Sequence, residues 1–449
     1  MAVIQSNNVT DGVRAFRSGP APLIYKLLLA GLVSFSTLCL LALVDLRRGF
    51  LFQEYATKTP YFSFSPLHLA MFAVGILGLV LTARAMLEHE GRIDGHSLFS
   101  YVRVLALVLF AVLIVDLFIY RGVAADRIIS AGQLGAGWMD AFGVTGWTRP
   151  VALGISYILT VWHATLLGIL LAGLALTVLP TYLRSFFIKG GFRGSVFGSL
   201  FALPQPFCSC CAAVIAPSYV RQGASNNFSL AFVVGAPMLN VTGLILAAVL
   251  LPAPYALTRV LAGILLALPV TYAVAWISER WKDDSENAGR NRFGEWISQW
   301  VDLYCKLFHL EEMAQGSKME SPTSFLKTWL KVSFRVGLLL VPTMFILTVL
   351  TAGLIQIMPA AFGNNVPSVV MAAAAGTLLM ISTWTEIPVA QQMITAGLSG
   401  PAATMLVVLP PVSLPCMMLL GGSIGSFRTV ALLGAAVALS GIVAGVIFL

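Results

Sequence analysis

Charge is what this sequence has least of. Asp, Glu, Lys and Arg make up only 10% of its 449 residues, where a soluble domain carries about 25%. Too little polar surface is left to cover a water-soluble globule. Also missing are a GxxxxGK[ST] phosphate loop, a GxGxxG nucleotide turn and an HExxH zinc motif. ATP-driven pumping by this chain alone is therefore not expected, and neither an enzymatic reaction nor a cofactor is expected. Cysteine is sparse: Cys39, Cys208, Cys210, Cys211, Cys305 and Cys416 are the six. Three of them cluster inside apolar sequence, which is unlike a secreted disulfide framework. A cleavable secretory signal is not expected either. The tail Met1 to Pro22 is polar, and the apolar run after it, Leu23–Val44, is too long for a signal core. The net charge of +8 does not point to nucleic acid, because the basic residues lie between apolar runs, where they serve as membrane-flanking anchors.

Long apolar runs are what the chain has in abundance. Hydrophobic residues reach 58% and the mean hydropathy is +0.89. A helix needs about 20 apolar residues to cross the hydrocarbon core. Runs of that order occur at Leu23–Val44, Leu67–Leu87, Val102–Tyr120, Val151–Leu179, Phe228–Leu251, Leu257–Ile277, Val332–Ile355, Ala402–Leu420 and Thr429–Leu449. Two further apolar stretches, Ser199–Val220 and Val366–Leu398, are interrupted by prolines and polar residues. The expectation is an all-α polytopic membrane protein with about nine transmembrane helices, two broken or re-entrant hairpins and an inverted repeat.

The organisation reads as a cytoplasmic tail (1–22), N-terminal transmembrane helices (23–180), a first permease half (190–278), a cytoplasmic loop (279–324) and a second permease half (325–449). The Gly-rich, basic stretch Arg184 to Gly198 reads as a connector. In the loop, Phe293, Trp296, Ile297, Trp300, Tyr304, Leu307 and Phe308 recur at helical spacing. That pattern fits an amphipathic helix at 293–308, lying on the membrane surface or docking a cytoplasmic partner or second copy.

A repeat links the halves. Gly223-Ala-Ser225 precedes Val233-Val234 and Pro237 at the spacing at which Gly397-Leu-Ser399 precedes Val407-Val408 and Pro411. In that register Pro204–Arg221 corresponds to Trp384–Gly397. Interrupted segments at matching places of two halves point to a transporter binding site. Topology agrees. With Arg14, Arg17 and Lys26 inside, the connectors around Arg84–Arg103 and Arg184–Arg193 are inside too, as the positive-inside rule prefers. A single crossing by Ser199–Val220 would export the loop flanked by Arg280, Lys282, Lys327, Lys331 and Arg335; a segment that dips in and returns keeps it inside. The same logic makes Val366–Leu398 a hairpin entering from the opposite face. Arg47, Arg48 and Lys58 then fall outside, against the rule.

The chemistry concentrates in the two interrupted stretches. Pro204-Gln205-Pro206-Phe207-Cys208-Ser209-Cys210-Cys211 sets helix-breaking prolines beside three thiols and a hydroxyl. Soft thiolates favour thiophilic metals and metalloids. On a regular helix Cys208 and Cys211 share a face while Cys210 points away, so all three converge only if the segment is unwound. The competing reading is that these cysteines pack as small hydrophobes. Glu386, in Ser382-Thr383-Trp384-Thr385-Glu386-Ile387-Pro388, is a carboxylate within apolar sequence. Such a group costs at least about 2.5–3.5 kcal/mol at the bilayer centre, which suits proton coupling or, alternatively, a structural place at a helix N-terminus. Asn240, after Pro237, and Gln391 can donate and accept for a polar substrate or a cross-helix bond. His163, inside the fourth span, either relays protons or is a hydrogen-bonded structural residue.

Pro206-Phe207-Cys208-Ser209-Cys210-Cys211, followed by Arg221-Gln222-Gly223-Ala224-Ser225 and Gly235-Ala236-Pro237-Met238-Leu239-Asn240, resembles the first signature of the ArsP/YraQ-type predicted permeases. Thr385-Glu386-Ile387-Pro388 through Gly397 to Pro415 is similar to the second. The resemblance covers roughly Gly190–Gly425. It implies a multi-pass inner-membrane permease and, since some members export trivalent organoarsenicals, efflux of a thiophilic metal(loid) compound. This chain carries Cys-Ser-Cys-Cys where other members carry Cys-Ser-Cys-Gly or similar, so the substrate does not carry over. The rival class is a membrane thiol–disulfide carrier, in which Cys208 and Cys211 exchange with a soluble partner.

Overall fold

The computed structural model describes residues 23–48, 57–58, 63–90, 93, 95–131, 148–182, 190–203, 209, 212–213, 216, 219–220, 223–285, 321–357, 363–379, 386–424 and 426–449. The tail 1–22, the amphipathic stretch 293–308 with Cys305, and Cys208, Cys210 and Cys211 lie outside them. Among the described residues the chain is helical apart from a two-residue antiparallel pairing of β1 (Thr57–Lys58) with β2 (Ser63–Phe64).

Four long helices come first: α1 (Leu23–Arg48), α2 (Pro66–Glu90), α3 (Gly95–Ala131) and α4 (Arg149–Tyr182). α1 and α2 form a hairpin with a polar tie at each end. At one end Ser65 donates its N–H to His68 Nδ1 (3.0 Å), which leaves the proton on Nε2 to donate to the buried Asp45 (2.8 Å). At the other end Glu90 accepts from Tyr25 Oη (3.2 Å) and from Thr323 Oγ1 (2.6 Å). Thr323 opens α10 (Pro322–Ile357), so Glu90 pins the hairpin to the start of that helix. α10 runs antiparallel to α4: Trp329 bonds the Leu170 carbonyl at 2.9 Å, while Gly154 packs against Phe345 and Val349.

The two halves, 190–278 and 325–449, follow one plan. The first comprises α5 (Gly191–Ala202), α6 (Asn226–Met238), α7 (Val241–Leu250), α8 (Ala253–Leu265), a π-helical turn (Leu266–Val270) and α9 (Thr271–Ser285). Gly198 packs on Phe228 and Ala231, and Gly235 on Ser199 and Ala202. Contact positions rise together along both helices, so α5 and α6 run parallel. Two consecutive parallel helices require the chain between them to return to its starting end, and the returning arm, described at 209, 212–213, 216 and 219–220, does so. It closes in a C-cap at Gly223 (φ +89), with Gly223 N–H on the Val220 carbonyl and Ala224 N–H on the Tyr219 carbonyl.

The second half repeats this with α11 (Val366–Leu378), α12 (Glu386–Thr395), α13 (Ser399–Val408), α14 (Leu414–Ile424) and α15 (Phe427–Ile447). Gly400 bonds Asn364 and Gly376 packs on Met405 and Val408, so α11 and α13 are also parallel. α12 is the returning arm. It closes at Gly397 (φ +78), with Gly397 N–H on Ile394 and Leu398 N–H on Met393. This is the cap of the first half, position for position in the register of the sequence repeat.

The two hairpins point in opposite directions. α6–α7 carries the chain from the Gly223 end to the other end, where α8 begins. There Tyr255 of α8 stacks on Phe448 (4.3 Å between centroids) and Gly445 packs on Gly400, beside the Gly397 turn. The repeat is therefore inverted. Seven described helical stretches are long and apolar enough to cross a membrane, and α4, α11 and α13 hold shorter apolar stretches. α6 and α13 are buried almost all round, as helices at the centre of a bundle must be.

One sequence reading needs correcting. The first hairpin does not begin at Ser199, and Gly191–Gly198 is not a connector. It is the start of α5, and Gly194, Ser195 and Gly198 are buried. Small residues there let the backbone approach α6 closely.

Candidate functional site

Each half breaks its central helix near its middle. α6 stops at Met238, and α7 restarts at Val241 with Asn240 as its cap, Oδ1 accepting the Gly243 N–H (3.4 Å). α13 stops at Val408, and α14 restarts at Leu414 beyond Pro410 and Pro411. Proline cannot donate a backbone bond, so Pro410 and Pro411 end α13; α6 runs through Pro237 and ends where Asn240 caps the next helix. The last carbonyls of α6 and α13 are thereby left without intrahelical partners and carry the negative ends of both helix dipoles.

Arg259 of α8 satisfies them. Its NH1 donates to the Leu406 carbonyl at 2.8 Å and lies 3.6 Å from Met238 Sδ; its NH2 donates to the Pro237 carbonyl at 3.1 Å. NH2 also donates to Glu386 Oε1 at 2.8 Å. Arg259 is 0% exposed and Glu386 1%. The pair spans 127 positions of sequence and joins the halves: Arg259 and Pro237 come from the first, Leu406 and Glu386 from the second. Arg259 Nε has no acceptor among the described residues. A guanidinium stays charged at any accessible pH, so its complete burial depends on these partners.

Glu386 is the first residue of α12, where the N-terminal end of the dipole favours a carboxylate. Glu386, a carboxylate within apolar sequence, is thus both at a helix N-terminus and paired with Arg259. That partner was missed. Arg259 stands two residues inside the apolar run Leu257–Ile277, where a basic residue reads as an anchor; the helix begins earlier, at Ala253, and that puts the charge more than one turn inside it.

The other predicted site residues fall as follows. Ser209 is buried on the returning arm of the first hairpin. Gln391 lies half-buried on α12, two turns or less from Glu386. Cys416 is buried on α14. His163 is buried elsewhere, on α4, with Nε2 3.5 Å from Asp116 of α3 and its ring stacked on Tyr120 (4.7 Å). Asp116 is itself buried. No cluster of three or more His, Cys, Asp or Glu side chains able to hold a metal occurs among the described residues.

The sequence family described as "Predicted permease" (ArsP_1) matches residues 147–449. This chain belongs to that family. The match begins just before α4 and takes in both inverted halves, leaving α1–α3 outside it. Among curated relatives, the permease is 31% identical over 306 residues to UPF0718 protein YraQ of Escherichia coli (strain K12), covering 67% of this chain and 80% of the relative. It is 26% identical over 132 residues to UPF0718 protein MJ0584 of Methanocaldococcus jannaschii, covering 27% of this chain and 36% of the relative. No solved structure matches.

Proposed function

We propose that this permease is a secondary transporter of the inner membrane that exports a small thiophilic metal(loid) or organometalloid compound. Substrate is taken up between the two broken segments. Cys208, Cys210 and Cys211 supply soft ligands and Ser209 a hydroxyl from the first; Glu386 and Gln391 come from the second, and Asn240 from the neighbouring helix break. The observation that carries the reading is the Arg259–Glu386 pair, which ties two oppositely directed halves together where both central helices are interrupted. Rocking of one half against the other exposes such a seam alternately to each side.

Glu386 is the proposed proton carrier. Were it protonated, Arg259 would keep the Pro237 and Leu406 carbonyls but lose its counter-ion, so protonation of Glu386 would go together with loosening of the seam. The Nε–H of Arg259, without an acceptor among the described residues, is a buried donor for an oxygen of substrate or for water. His163 with Asp116 is a second titratable pair within the spans and is proposed to assist proton movement.

The test is flux from proteoliposomes loaded in turn with methylated trivalent arsenicals, antimonite and copper. Cys208→Ser with Cys211→Ser, and separately Glu386→Gln, are expected to reduce flux at least tenfold while the protein still elutes as a folded species. Retained flux in both variants overturns the site. A trapped mixed disulfide with a thioredoxin-like protein, without flux, would favour reducing-equivalent transfer instead.

A further inference from the structure

The α1–α2 hairpin is the least buried part of the described bundle. Only 22% and 17% of its two most apolar windows are covered, against 65% for α6–α7. Glu90 fastens it to the start of α10 through Thr323. Beyond that pin the hairpin and α10 stand apart, and a cavity of about 760 Å³ opens between them. Its walls are leucines from five helices, among them Leu32, Leu79, Leu109, Leu170 and Leu330. Ser321, Ser324 and Lys327 stand at one end only, in the first turns of α10.

The slot is open along one side, so the medium around the helices enters it. Water is a poor occupant, because an ordered water needs several polar partners and, away from the polar end, the walls offer only Ser36 and Cys39. Hydrocarbon fits it, and the surrounding bilayer is its source. The polar end matches a headgroup. Lys327 is exposed at the mouth, and Lys331, also exposed, follows one turn along the same face of α10. Basic groups at an inter-helix pocket near the membrane surface select anionic headgroups.

We propose that the slot between the α1–α2 hairpin and α10 is a binding site for one anionic phospholipid, with an acyl chain between the leucine walls and its phosphate at Lys327. About half of the site lies on helices outside the family match, and it does not depend on what the permease transports.

The test uses the full chain reconstituted in mixed vesicles of phosphatidylglycerol and phosphatidylcholine with identical acyl chains, extracted in mild detergent and weighed by native mass spectrometry. The wild-type protein is expected to retain about one phosphatidylglycerol per chain in preference to phosphatidylcholine. Lys327→Gln is expected to lower that preference about fivefold, the worth of one basic residue near the surface. Ala83→Trp, which fills the slot from α2, is expected to abolish retention of both lipids, and Ser36→Phe serves where that variant does not fold. Equal retention of the two lipids by wild type, an unchanged preference in Lys327→Gln, or undiminished retention in the filled variant overturns the proposal.

Discussion

The two hairpins share a backbone and divide the chemistry. Each sends a short helix inward, returns, and caps at a glycine of positive φ, Gly223 or Gly397, with the same pair of hydrogen bonds. Each packs its inward helix in parallel on the next helix through a small residue, but the halves place it differently. In the first, Gly235 on the second helix faces Ala202; in the second, Gly376 on the first helix faces Val408. The approach is kept while the glycine changes sides, so what the fold requires is a small residue at the crossing, not one particular residue. The chemical content is not shared. The first hairpin carries sulfur and no acid; the second carries Glu386. An inverted repeat with unequal arms fits a protein whose two faces differ in task.

The largest expected effect comes from breaking the tie between the halves. Arg259→Met or Glu386→Leu alone leaves one buried charge without its counter-ion, at about 3–5 kcal/mol. The double variant should recover most of that loss in a denaturation series while remaining inactive in transport. If the singles cost no more than the double, the pair is not what holds the halves together. Next, Gly198→Ala drives a methyl into the Phe228 carbonyl and should cost about 1–3 kcal/mol. At the equivalent place in the second half Ala372 already carries the methyl, so Ala372→Gly should cost only about 0.5–1 kcal/mol. Equal costs would show that the two crossings are packed alike.

Gly223→Ala and Gly397→Ala should each cost about 1–2 kcal/mol, since a Cβ at either meets open space and only the left-handed backbone objects. A marked inequality in melting temperature between them would break the structural equivalence of the turns. The smallest effect concerns the inward helices. Asn365 caps α11 by accepting the Ser368 N–H at 3.0 Å, whereas Gly190 before α5 offers no side chain. Asn365→Ala should lose about 1 kcal/mol, and Gly190→Asn should gain a few tenths.

Much of this was legible beforehand. The register linking Gly223 with Gly397 placed the two interrupted stretches at matching positions of the halves, whereas Phe228–Leu251 and Ala402–Leu420 read as continuous spans and their breaks emerge only in the structure. Paired basic connectors favoured returning segments over single crossings. The beginning of α5 was hidden, because Gly191–Gly198 has the composition of a loop and becomes a helix only when its small face has α6 to pack on. Arg259 was hidden for a related reason: its role depends on carbonyls and a carboxylate that belong to other helices.

Hydropathy and periodicity alone settled that the chain crosses a membrane many times and that its centre is doubled, because burial in lipid demands long apolar runs and repeated units keep repeated spacings. Which charge meets which, where the two breaks converge and how the N-terminal hairpin is fastened were decided only by tertiary packing. Those contacts join side chains more than a hundred positions apart, and no local pattern encodes a partner that lies on another helix.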